Sequence, residues 1–181
     1  MRNLSSWAWA AALVLSGFCG PVSAAPAAPG GPRVDVKVAV TETNDYHNIA
    51  GSAARSKQQS RQLRVTLGNW DKVPIADVSA KWVIYARKMD SNKVVTVKQG
   101  TVKTKLGALS TITVKSDKVT MKGTPKHTVV TKKNVKGKVQ SSSKNNPATG
   151  EEYYGYSVAV YAGTVLIEEI SDPASLKPKQ K

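Results

Sequence analysis

The chain has 181 residues, with 27 lysines and arginines against 12 aspartates and glutamates, a formal net charge of +15, and a single cysteine. One cysteine excludes a disulfide framework, so a folded domain must rest on an apolar core, which a chain of this length is large enough to build. The basic balance points to polyanionic neighbours or to solubility, and carries no information about fold.

Met1 and Arg2 make a short positive start, and Ala10 to Phe18 is an apolar run too short to cross a bilayer. Val22-Ser23-Ala24 then ends in the small-x-small pattern of a cleavage site. Together they predict a signal peptide over residues 1–24 and export to the periplasm or the cell surface. Cleavage after Ala24 would remove Cys19 and leave a cysteine-free chain. Two alternatives fit less well. A lipid anchor at Cys19 is disfavoured because Phe18 and Ser16 stand where a small and an aliphatic residue are needed. An uncleaved anchor extended by Trp7 and Trp9 is disfavoured by the break at Pro21. Residues 25–32 are a Pro/Gly/Ala linker, so a domain is expected over residues 33–172, followed by a flexible basic tail, 173–181.

From Arg33 onward the apolar residues recur with period two. Val34, Val36, Val38 and Val40 form one face of a first strand, and Leu63, Val65 and Leu67 repeat the pattern. Residues 41–57 interrupt the alternation with Asn44, Asp45, Asn48, Gly51 and Ser52 and are expected to form a loop or a single helical turn. Residues 77–87 place Val78, Ala80, Trp82, Ile84 and Ala86 on one face and Val83 and Tyr85 on the other, as in a central strand. Lysine-punctuated strands follow over 93–99, 101–106 and 109–115. Residues 132–150, with Ser141 to Pro147 lacking any apolar side chain able to face a core, are expected to be a second long loop. Tyr154, Tyr156, Val158 and Val160 alternate, Ala162-Gly163 supplies a turn, and Val165, Ile167 and Glu169 return. The expected fold is all-β, an antiparallel sandwich of about seven to eight strands.

Trp82 on a central strand, followed by Tyr156-Ser157-Val158-Ala159-Val160-Tyr161-Ala162-Gly163 entering a closing hairpin, resembles immunoglobulin-like and fibronectin type III-like sandwiches. The cysteine pair of true immunoglobulin domains is missing, so the resemblance reaches the broader fold family. The stretch from Val165 to Leu176 is also similar to small exported bacterial sandwich proteins. These resemblances imply binding, adhesion or filament assembly, and fold analogy does not select among them.

Between residues 91 and 144 there are thirteen lysines against the single acid Asp117. On strands with valines in alternation, Lys98, Lys103, Lys105 and Lys115 would line a solvated face able to attract anionic glycans or lipid headgroups. The bland alternative is that they keep strand edges from pairing and the protein soluble. The segment holds no arginine and no aromatic residue, so it offers neither bidentate forks nor stacking platforms for specific nucleic-acid recognition.

Catalysis finds little support. The two histidines, His47 and His127, lie far apart in sequence, and no nucleophile elbow, phosphate loop or metal-binding helix motif occurs. Asp45, Tyr46 and His47 with Glu42 could offer metal ligands, but a solvated histidine is the simpler reading. The pairs Glu151-Glu152 and Glu168-Glu169 would point to opposite faces of a strand rather than across a substrate. No catalytic residue, cofactor or metal is therefore assigned. Trp82 and Tyr156 are assigned to the core, Trp70 to a cap over one end of it, and one of Tyr153 and Tyr154 to the surface. The expected function is a noncatalytic exported module binding an envelope or surface protein, as in adhesion or pilus assembly. The alternative is a polyanion- or glycan-binding module using the lysine-rich face.

Overall fold

A computed structural model describes residues 32–176. The signal peptide expected over 1–24 lies outside the described residues, as do most of the linker and the tail from residue 177. The protein is all-β and antiparallel, with ten strands among the described residues: β1 (Val34–Asn48), β2 (Arg55–Asn69), β3 (Ile75–Lys88), β4 (Val94–Leu106), β5 (Thr111–Lys115), β6 (Val119–Thr124), β7 (His127–Val135), β8 (Lys138–Asn146), β9 (Thr149–Ala162) and β10 (Val165–Asp172).

Two layers form the sandwich. In the first, β1 pairs with β2, whose other side takes β5 along residues 64–68 and β6 along residues 57–61. In the second, β3 lies between β4 and β9, and β10 closes the far side of β9. Strand β9 joins the layers: Thr149 and Gly150 pair with β6, and the residues beyond them pair with β3. The corner falls at Gly150, with φ of +84°, where a methyl group would collide with the Lys122 carbonyl oxygen. β7 and β8 pair only with each other and form a separate ribbon.

The core is built as the alternation predicts. Val36, Leu63, Val65 and Leu67 from the first layer meet Val78, Ala80, Trp82, Ile84 and Ala86 of β3 and Tyr156, Val158 and Val160 of β9. Each fully buried Leu, Ile or Val contributes about 1.5–3 kcal/mol relative to exposure.

Several expectations are corrected. Residues 41–48 and 55–57 are strand, not loop, so β1 and β2 make one long hairpin closed near Gly51. Just beyond, at residues 59–61, β2 buries polar side chains whose partners are supplied. The Gln59 Oε1 accepts from the Tyr153 amide at 3.0 Å, and the Ser60 and Thr120 hydroxyls are 3.1 Å apart. The two strands expected over 93–99 and 101–106 are one, β4, running over 94–106, because Gly100 makes no turn and lies beneath the Trp82 indole. Residues 132–146 are ribbon rather than loop. Trp70 does not cap the core and is 67% exposed. A bulge at Tyr154 shifts the phase of β9, so Tyr153 takes the inward position opposite Ala86 and neither tyrosine is fully exposed. The first residues of the expected tail, Ala174–Leu176, form a short 3₁₀ turn, and Leu176 lies against Gly155.

Candidate functional site

The ribbon β7–β8 is the part of the molecule least explained by the core. Thr128, Val129, Val130 and Thr131 give β7 strand propensity, whereas β8 has a single β-branched residue, Val139. Lys136 and Gly137 both have positive φ, 51° and 78°, which defines the two-residue type I′ turn that joins them. The base is tied by His127, whose Nδ1–H donates to the Pro125 carbonyl at 2.9 Å while Nε2 accepts from the Asn146 side-chain amide at 3.2 Å. The Thr128 hydroxyl donates to Asn145 Oδ1 at 2.6 Å.

One further contact seats the ribbon on the body. The Val130 N–H donates to the Gly51 carbonyl at 2.9 Å, at the tip of the β1–β2 hairpin. That bond also fixes the phase of the ladder. A two-residue turn closes on a hydrogen-bonded Val135/Lys138 pair, after which bonded and non-bonded pairs alternate. Val130 and its opposite residue Ser143 are therefore a non-bonded pair whose backbone groups point away from the partner strand, and on β7 that group meets Gly51. On β8 the corresponding groups belong to Val139, Ser141, Ser143 and Asn145, and no backbone bond among the described residues reaches them. The outer edge of β8 is a free strand edge.

The ribbon is also a concentration of charge. Lysines 126, 132, 133, 136, 138 and 144 lie on or beside it, no acid occurs between Asp117 and Glu151, and no ion pair among the described residues involves any of them. Cross-strand partners share a face, so Lys133, Lys138 and Lys144 stand on one side of the ribbon. Val129 and Val135 stand on that side too, opposite Lys144 and Lys138, while the other side carries Lys132 with Val130 and Val139, the last 69% exposed.

The four lysines singled out from sequence fall in three places. Lys98 is opposite Ile84 at the open side of the sandwich and pairs with Asp117 at 2.9 Å, bridging the layers. Lys103 and Lys105 project from the outer face of the second layer. Lys103 lines a shallow depression of about 370 Å³ with Asp77, Ser79, Lys81 and Tyr161, in which the Lys81 ammonium lies 4.7 Å from the Tyr161 ring centroid. Lys115 sits opposite Arg64 in the other layer. The structure brings Lys103 and Lys105 together and leaves Lys98 and Lys115 apart from them.

A second groove of about 200 Å³ lies between the β1–β2 hairpin and the base of the ribbon, with Tyr46, Lys57, Met89, Pro125 and Glu152 in its walls. Behind it Arg61, 4% exposed on its side chain, donates to Asn44 Oδ1 at 3.1 Å, pairs with Glu42 at 3.1 Å and lies 5.0 Å from the centroid of Tyr153. Burial pushes the Tyr153 phenol up to about 12, with the Asp172 carboxylate as the next cause, and burial raises the Tyr156 phenol as well. These groups hold the hairpin to the body through contacts with one another. Sequence reasoning missed the ribbon because neither face is apolar. The available signal was a glycine-containing two-residue turn between a β-branched run and a polar one.

Compared with models of known protein families and with curated proteins, the chain matches none.

Proposed function

We propose that the chain is a noncatalytic, exported, immunoglobulin-like binding module that engages an envelope or surface protein by strand addition. The immunoglobulin-like reading is supported by the strand order, in which β1-β2 with β5 and β6 faces β4-β3-β9-β10, and by a core tryptophan on the third strand. Export is supported by the residues that precede the domain.

The observation that carries the functional reading is the free outer edge of β8. An isolated two-stranded ribbon is marginally stable in water and exposes a row of unpaired donors and acceptors, so a third strand would gain main-chain hydrogen bonds at once. Excision of residues 127–146, with a short Gly/Ser link from Lys126 to Pro147, tests it. The body should melt as before, and retention of the protein on the cell envelope should be lost. Unchanged retention would exclude the ribbon as the binding element.

A second reading, capture of an anionic glycan or lipid surface, is favoured by the unpaired lysines of the ribbon and by Lys103 and Lys105 beside Lys81. Replacing Lys103 and Lys105 together with the ribbon lysines Lys132, Lys133, Lys138 and Lys144 by glutamine should then weaken heparin binding and flatten its salt dependence.

A further inference from the structure

The partner's chemistry can be read from the ribbon, resting on the strand-addition reading above. On β8 the residues that turn their backbone outward are Val139, Ser141, Ser143 and Asn145, and they would form the hydrogen-bonded pairs with an added strand. Lys138, Gln140, Ser142 and Lys144 would then stand in the non-bonded pairs, where opposing Cα atoms come closest and side chains meet most directly. Lys138 and Lys144 share one face and lie six residues apart, about 20 Å along the strand. Lys133 flanks Lys138 on the same face, one strand over, and reinforces its field. No acid of the ribbon neutralises any of them. On the opposite face Val139 is exposed, so the strand residue set against it gains by being apolar.

We propose that the outer edge of β8 binds an extended acidic peptide segment whose two carboxylates lie six residues apart on one face, with an apolar residue on the other face set against Val139. Charge selects against a second copy of this chain, because pairing β8 with β8 would bring like charges together at short range. Recognition comes from backbone bonding along the edge, and specificity from the phase of the two carboxylates.

The test uses the full chain and synthetic Thr/Val peptides about nine residues long. One carries two glutamates six positions apart; another of the same composition carries them five apart, hence on opposite faces. Heparin is the third probe. Affinity is measured by fluorescence anisotropy, and protection by hydrogen exchange at the Val139, Ser141, Ser143 and Asn145 amides. The expected result is that the first peptide binds about tenfold more tightly than the second and slows exchange at those amides. Lys138→Gln together with Lys144→Gln should erase the preference without altering the fold. Equal affinity of the two peptides, with both protecting the amides, would overturn the acidic phase and leave strand addition standing. Binding of either peptide without protection would overturn strand addition too. Heparin binding that depends on the same two lysines, with no peptide bound, would transfer the site to polyanions and overturn the proposal.

Discussion

Trp82 and Gly100 form the contact on which the second layer is built, and a double-mutant cycle tests it. Trp82 is 4% exposed on β3 and faces Gly100 across the β4 ladder. A methyl group at Gly100 would stand 2.6 Å from Trp82 Cζ2 and 2.8 Å from Cε2. Trp82→Ala opens a large cavity and should cost about 3–5 kcal/mol. At roughly 2–4 °C per kcal/mol for a domain of this size, the melting temperature should fall by roughly 6–20 °C. Gly100→Ala in the native background should cost about 1–3 kcal/mol by overpacking. In the Trp82→Ala background the methyl group enters the cavity, and alanine is better than glycine in a strand by about 0.5–1 kcal/mol, so the same substitution should become neutral or stabilising. Urea unfolding followed by far-ultraviolet circular dichroism reads all four corners of the cycle. An equal cost of Gly100→Ala in both backgrounds would refute the placement of the indole.

Tyr153 should make the fold sensitive to alkali. Its folded pKa is raised from the ordinary value of 10.0 to about 12, so its contribution to stability is complete below pH 10 and is lost as pH rises toward 12. Tyr153→Phe, which also removes a buried hydroxyl lacking a hydrogen-bond partner, should match the parent at neutral pH and lose less stability between pH 10 and 12 in urea melts. Glu42→Gln leaves the buried Arg61 guanidinium without its counter-charge and should cost about 1–2 kcal/mol, whereas Asp35→Asn, in an exposed pair with Lys37, should cost less than about 0.5 kcal/mol; thermal melts of the two variants check both. N-terminal sequencing of the protein from its cells should begin at Ala25 or within a few residues of it, and an intact Met1 would contradict export.

Period two made the buried strands legible, because β3 and the middle of β9 bury alternate apolar residues on one face. It failed where burial is polar. Gln59, Ser60 and Arg61 are inside because Tyr153, Thr120, Asn44 and Glu42 supply their partners, and partners distant in sequence cannot be read from a local pattern. It failed again where a strand has no buried face, as in β7 and β8, since exposure on both sides leaves no alternation to find. Gly100 reads as a break because glycine usually punctuates, whereas here its missing side chain makes room for Trp82. The lysines were visible as a charge run, but their distribution over the rim, the two outer faces and the ribbon depends on register, which the bulges in the pairing of β3 with β4 and with β9 are enough to shift.

Strand addition requires that the outward backbone of β8 take the partner. Ser141→Pro with Ser143→Pro removes two outward N–H donors while leaving the bonds between β8 and β7 in place, since proline is tolerated on the free side of an edge strand. Retention of this variant on the cell envelope, measured beside the parent and beside the glutamine variant at Lys98, Lys103, Lys105 and Lys115, is the direct measurement. Strand addition predicts an unchanged melting temperature, lost retention in the proline variant and full retention in the glutamine variant. Full retention in the proline variant with loss in the glutamine variant would contradict it and assign the function to the lysines.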